Sequence, residues 1–210
     1  MTNFVFLMIQ AEQYPSKALA DAVEAISSLP GVGSRSALRL ALHLLRQPKE
    51  KIHRFAAAID NLAEGVTYCQ TCNMVADSDE CAICADPHRD HDTICVVSSV
   101  RDVMSIEASG QYKGIYHVLG GIISPIAGIG PSDLSISSLV PRASRCKEII
   151  LALPGDVEGE TTSFYIYRLI ENSGCKVTTL ARGLGFSDGL EYADSLTIGR
   201  SIAARQPFKP

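Results

Sequence analysis

Apolar residues recur at helical spacing through the first third of the chain. In PSKALADAVEAISSL (15–29), Leu19, Ala22, Val23 and Ile26 fall at i, i+3, i+4 and i+7, the stripe of an amphipathic helix. After PGVG (30–33) the stripe resumes with Leu38, Ala41, Leu42 and Leu45, and Ser34 is placed to cap this second helix. Pro48 opens a third helix with Ile52, Phe55, Ile59 and Leu62 on one face. The pattern changes at Thr67, where a cysteine-rich stretch begins, followed by the polar linker PHRDHDT (87–93). From Ile94, short apolar runs alternate with helical patterns. ICVVS, GIYHVLGG, EIILAL and KVTTLA read as strands; VRDVMSIEAS, SDLSISSLVPRA and ETTSFYIYRLIENSG read as helices. That alternation predicts an α/β fold, a mostly parallel sheet with helices on both faces. EYADSLTIGRSIAARQPFKP reads as a helical tail with a loose end. The chain therefore divides into a helical region (1–66), a four-cysteine segment (67–91), an α/β domain (92–187) and a C-terminal tail (188–210).

Bulk properties narrow the function classes. The 210 residues suit one compound domain or two small ones, and an apolar fraction of 46% supports a real core. A net charge of −4 means that any nucleic-acid role needs a local basic patch. The apolar start MTNFVFLMIQ has no basic n-region and no small-residue cleavage site, so no signal peptide is expected; Met1 and Met8 are both candidate starts. No run approaches the roughly 20 apolar residues of a membrane span. An odd cysteine count without an export signal predicts a reducing cytoplasm, where paired cysteines are metal ligands more often than disulfides.

The stretch CQTCNMVADSDECAIC places Cys69, Cys72, Cys81 and Cys84 as two Cys-x-x-Cys pairs. Each pair presents two sulfurs from one turn, and the loop between them lets the second turn fold back, so four thiolates converge on one tetrahedral ion. Zinc suits this knuckle spacing better than an iron–sulfur cluster. Four protein ligands leave no position for water, so the site is expected to be structural. The competing reading is a redox dithiol or four buried free thiols.

LPGVGSRSALR joins two helices through a Gly-x-Gly turn, which suggests a helix-hairpin-helix rather than a dinucleotide fingerprint, since no strand precedes it. Backbone N–H groups around Gly31 and Gly33, and the start of the second helix, can hold a DNA phosphate without reading a base. Arg35, Arg39, His43 and Arg46 share one helical face; Lys49, Lys51 and Arg54 follow, and Glu50 is the only acid between Leu29 and Arg54. The alternative is a solvated face beside an ordinary turn between helices.

PGDVEGE places Asp156, Glu158 and Glu160 where a strand runs into a helix. Two readings stand. The carboxylates can hold Mg²⁺ at a strand's C-terminal end. They can equally cap the helix and complement its dipole, with Glu160 the clearest case. Arg101 and Asp102 open a neighbouring helix, and GGIISPIAGIGPSDL forms a long glycine-rich loop at another strand end.

Taken in order, these parts resemble the RecR recombination-mediator family. The stretches that carry the resemblance are LPGVGSRSALRLALHLLRQ, YCQTCNMVADSDECAICADPHRD, ICVVSSVRDVMSIEASGQYKGIYHVLGGIISPIAGIGPSDL, VEGETTSFYIYRL and ARGLGFSDGLEYADSLTIGRSI. The resemblance implies a helix-hairpin-helix, a four-cysteine zinc finger, a Toprim-like α/β domain and a short helical tail. It also implies a DNA-repair factor without a catalytic step, a ring-like homo-dimer or tetramer that acts with RecO and RecF to help load RecA on single-strand gaps. On that footing Arg35 and Arg39 match DNA contacts, the four cysteines match zinc ligands, and Glu158 matches an acid linked to partner contact. Family members usually carry Glu where this chain has Ser98, and GLGFSDGLEY lacks their Pro-Val-Gly-Gly run. Loss of that Glu argues against Mg²⁺ catalysis. Two other functions compete with a DNA clamp: a Mg²⁺-dependent Toprim enzyme such as a nuclease or primase, and a purely structural adaptor binding proteins through the acidic turn.

Overall fold

A computed structural model of the chain describes residues 14–181 and 195–203. The chain divides between Gly65 and Val66 into two units.

The first unit is helical. Helix α1 (Lys17–Ser27) and helix α2 (Ser34–Leu45) pack through Val23, Ala37 and Ala41, with Leu19, Ala22, Ile26, Val32 and Leu38 around them. The α1 stripe is the expected one. On α2 the buried residues are Ala37 and Ala41, with Leu38 partly buried, while Leu42 and Leu45 are exposed. Two alanines let the helices approach closely, and the leucines one step further round face solvent. Ser34 is not the cap: Gly33 takes that position, and no side chain caps the helix. Gly31 turns the chain at φ +79, which glycine adopts without strain. Helix α3 (Lys49–Gly65) follows Pro48 as expected, but Phe55, Ile59 and Leu62 on its apolar side are all more than half exposed.

The second unit opens with a small knuckle. Strands β1 (Thr67–Tyr68) and β2 (Val75–Ala76) pair antiparallel, and a one-turn helix α4 (Ala82–Ala85) follows. Then comes a four-stranded parallel sheet: β3 (Asp90–Val97), β4 (Gly114–Val118), β5 (Glu148–Ala152) and β6 (Lys176–Thr179), in the order β4-β3-β5-β6. Strand β3 begins earlier than its apolar run, because Asp90–Thr93 of the expected linker already belong to it. Helix α5 (Val100–Ala108), helix α6 (Val140–Ala143) and helix α7 (Val157–Ile170) complete the domain. SDLSISSLVPRA is not one helix; a 3₁₀ turn at Pro131–Asp133 and the four-residue α6 occupy its ends. Pro131 and Pro141 each sit at a helix start and punctuate that stretch.

Alternation along β3 explains the layers. Ile94 and Val96 point into one core with Ile149, Leu151, Ile166 and Ile170; Cys95 and Val97 point into the other with Val103, Tyr116 and Val118. Both faces of the sheet are therefore buried, as parallel sheets require. Helix α7 starts so close to β5 that a Cβ at Gly159 would lie 2.2 Å from the Pro154 carbonyl oxygen. Helix α8 (Ser195–Ala203) agrees with the expected helical tail. The readings made for MTNFVFLMIQ and GLGFSDGLEY lie outside the described residues. Among those residues no helix is long and apolar enough to cross a membrane.

Candidate functional site

The four cysteines converge. Their sulfurs all lie within 4.8 Å of one another, and all four residues are buried. The chain around them is built to aim the sulfurs. Asn73 adopts φ 60, which closes the β1–β2 turn so that Cys69 N–H donates to Met74 O at 2.8 Å and Asn73 N–H to Cys69 O at 2.8 Å. Cys81 caps α4, its sulfur accepting from Cys84 N–H at 3.4 Å. Met74 N–H donates to Cys72 Sγ at 3.4 Å, and Cys72 Sγ stands 3.6 Å from Cys81 Sγ.

That spacing fits zinc. Tetrahedral Zn–S bonds of about 2.3 Å put ligand sulfurs about 3.8 Å apart. Backbone N–H groups aimed at Cys72 and Cys81 favour thiolate over thiol. The pKa of the Cys72 thiol is lowered to about 6, chiefly because the Cys84 side chain donates to it; the Cys84 thiol is raised by the same contact and by burial. Cys81 is raised, mainly by burial. Four soft donors with no fifth position suit a structural ion, which would supply the knuckle with binding energy that its few apolar residues lack.

The basic residues gather on α2. Arg35, Arg39, His43 and Arg46 line one groove of about 400 Å³ with Leu38 and Leu42 as its apolar floor. All four basic side chains are exposed. Lys49, Lys51 and Arg54 belong to α3 and do not line this groove. Gly33 makes no side-chain cap, and a Cβ there or at Gly31 would meet nothing within 4 Å. The start of α2 therefore carries first-turn N–H groups without a capping side chain, beside guanidinium groups that pair well with phosphate oxygens.

The acidic turn is occupied by its own helix. Asp156 is the N-cap of α7 and accepts from Gly159 N–H at 2.8 Å, so the cap is Asp156 rather than Glu160. Glu158 accepts from Ser124 Oγ at 2.6 Å, which ties the glycine-rich loop to α7; Glu160 stands exposed in the first turn. Ser98, at the end of β3, donates to Asp102 Oδ2 at 2.7 Å, and Asp102 is engaged with Ser99 in the capping box of α5. Among the described residues, the four cysteines form the only group of three or more metal-ligating side chains within reach of one another.

Two contacts of the knuckle had no signal in the sequence. Val118 N–H of β4 donates to Cys72 O at 2.8 Å, and Ile83 of α4 packs against both sheet cores. Neither follows from cysteine spacing, because both depend on which strand lies at the sheet edge.

Comparison with known proteins covers the same parts in the same order. A RecR helix-hairpin-helix model matches residues 19–63, a RecR four-cysteine zinc finger model matches 66–86, and a Toprim domain model matches 92–181. The zinc-finger match and the converging sulfurs agree on a structural zinc centre. Proteins named Recombination protein RecR are similar over almost their full length. That of Porphyromonas gingivalis is 52% identical over 199 residues, 94% of this chain and 96% of the relative. That of Bacteroides thetaiotaomicron is 52% identical and that of Flavobacterium johnsoniae 53%, each over 94% of this chain and 97% of the relative. This chain belongs to the RecR family of recombination proteins.

Proposed function

We propose that this protein is a non-enzymatic DNA-binding mediator of recombination in gap repair. It holds gapped, single- or double-stranded DNA through backbone phosphates, without sequence preference. Arg35, Arg39 and Arg46, with the Gly31 and Gly33 turn, are the contacts. It acts as a clamp-like homo-dimer or tetramer, with RecO and RecF as partners, to help load RecA on single-strand gaps. The acidic turn at Asp156, Glu158 and Glu160 serves partner contact. The reading places the protein in the cytoplasm.

The observation that carries this reading is the basic groove of α2, which begins at an uncapped helix N-terminus in a chain of net charge −4. Such a face attracts phosphates whatever the base sequence. The non-enzymatic part is supported by Ser98, which offers a hydroxyl where a Toprim enzyme needs a carboxylate, and by the engagement of Asp156 in capping α7. A Mg²⁺-dependent Toprim enzyme is the competing reading.

The test is a gel assay with zinc-loaded protein, gapped circular DNA, Mg²⁺ and nucleotides, run native and again after protein removal. DNA that is retarded and then recovered unchanged supports the mediator. Cut, relaxed or extended strands replace it with the enzyme. Linearising the circle tests the clamp: a closed ring slides off free ends, so retention on circles alone is expected.

A further inference from the structure

Among the described residues strand β4 lies at one edge of the sheet, and its outward N–H and C=O groups have no partner strand there. Two groups from elsewhere in the second unit meet them. Cys72 O accepts from Val118 N–H at 2.8 Å, and Arg142 Nη1 donates to Tyr116 O at 2.9 Å. Along one edge of a strand, the C=O of a residue and the N–H two residues on are successive ladder positions. The cysteine turn and the Arg142 guanidinium therefore sit side by side where a further strand would lie.

Arg142 has an unusual environment for a cation. Its Nη1 also stands 2.8 Å from His117 Nδ1, while His117 Nε2 stands 2.7 Å from Ser135 O. That pattern puts the histidine proton on Nε2 and leaves Nδ1 as an acceptor, so the ring is neutral. Among the described residues, Arg142 Nη2 is buried without a hydrogen-bond partner. Among the described residues no carboxylate pairs with Arg142. Arg142 is half-buried as a residue, and a guanidinium with a buried, unpaired nitrogen is costly unless an anion stands near. The neighbouring position on the same edge is held by the Cys72 turn, and a divalent zinc held by its four thiolates would be a net dianion. Burial pulls the Arg142 guanidinium down, and the charges of Cys84 and Cys72, with smaller contributions from Cys146 and Cys69, oppose that pull.

We propose that Arg142 is the counter-cation of the zinc–tetrathiolate centre, a positioning residue that couples metal occupancy to the outer edge of β4. Charge balance runs both ways. The guanidinium offsets the dianion, and loss of the metal centre leaves the buried Nη2 of Arg142 without compensation.

The experiment compares full-length zinc-loaded protein with Arg142→Met, Arg142→Gln and Arg142→Lys. Zinc affinity is read by competition with a chelator, and the centre's electronics by visible absorption after Co²⁺ replacement. Arg142→Gln removes the charge but keeps a donor for the β4 edge, so it reads the metal even where Arg142→Met fails to fold. The neutral variants should hold zinc about 10- to 100-fold more weakly, while Arg142→Lys stays within about threefold of the parent. Their thiolate-to-Co²⁺ charge-transfer band should move to lower energy, because the cation no longer stabilises the sulfur electrons. Ile166→Val, on the buried face of α7, controls for general loss of stability: it should lower Tm and leave both readouts at parental values. Parental zinc affinity and an unshifted band in the neutral variants would overturn the assignment. So would Arg142→Lys binding as weakly as Arg142→Gln, or Ile166→Val losing zinc as readily as the neutral variants.

Discussion

The cysteine centre and the basic face of α2 use charge in opposite ways. All four cysteines are at most 5% exposed, each sulfur faces another, and backbone N–H groups reach at least two of them. The basic groove is open, its arginines end in water, and its helix start carries no capping side chain. Buried charge must be satisfied inside the protein, so the closed centre determines stability. Solvated charge costs little to maintain, so the open face is free to bind something else. Perturbing the first should change folding, and perturbing the second should change affinity alone.

The largest expected effect comes from breaking the closed centre. Cys72→Ser should lose zinc and several kcal/mol of stability, since structural zinc in small modules contributes on the order of 10 kcal/mol to folding. Zinc content and a thermal melt check it together; full thermal stability with no bound zinc would refute a structural role for the metal.

The next effect is acid. Burial pushes the His117 ring down to about 4 from 6.5, so the folded protein binds this proton less readily than the unfolded chain. The stability that depends on neutral His117 is complete above pH 6.5 and is lost as pH falls towards 4, about 3 kcal/mol in all. Denaturant melts across that window should show a steeper slope in the parent than in His117→Asn.

A smaller effect is expected where the end of the knuckle segment meets α5. Arg89 donates through both terminal nitrogens to Glu107, and Tyr116 Oη donates to Glu107 Oε1 at 2.7 Å. Arg89→Met should cost about 1–3 kcal/mol by leaving a partly buried carboxylate with fewer donors. Equal urea midpoints for the two proteins would show that this network is no part of the closed region's stability.

The smallest effect on folding belongs to the open face. Arg39→Gln should shift stability by less than about 0.5 kcal/mol. It should weaken DNA binding across sequences and reduce the slope of log affinity against log salt by about 0.9. A fall in Tm comparable to that of Cys72→Ser would erase the contrast between the two regions.

Legibility in the sequence followed the same division. The four ligands were readable because each Cys-x-x-Cys pair is a local turn, and geometry within four residues is set by the backbone itself. The parallel α/β domain was readable because apolar runs of strand length alternated with helical stripes. The limits of β3 were not, because Asp90 and Thr93 pair through their backbones and the Asp90–Thr93 stretch carries no apolar signal. Periodicity found the faces of α2 and α3 but not their degree of burial. A stripe is buried only where a partner surface meets it, so Ala37 and Ala41 are covered while Phe55 and Ile59 are not. The acidic turn has two readings in sequence; what the structure adds is that Asp156 accepts from Gly159 N–H, a bond that depends on where α7 begins.

By itself, then, the sequence determined the kinds and order of the parts, the four metal ligands and the basic helix, all properties of short stretches of chain. Only the tertiary structure decided that, among the described residues, β4 lies at the sheet edge, that its edge receives the Cys72 turn and Arg142, and that the half-buried Arg142 pairs with no carboxylate. Those facts join residues far apart in the chain, and their physical cause is the need to satisfy backbone groups and charges once solvent has been excluded.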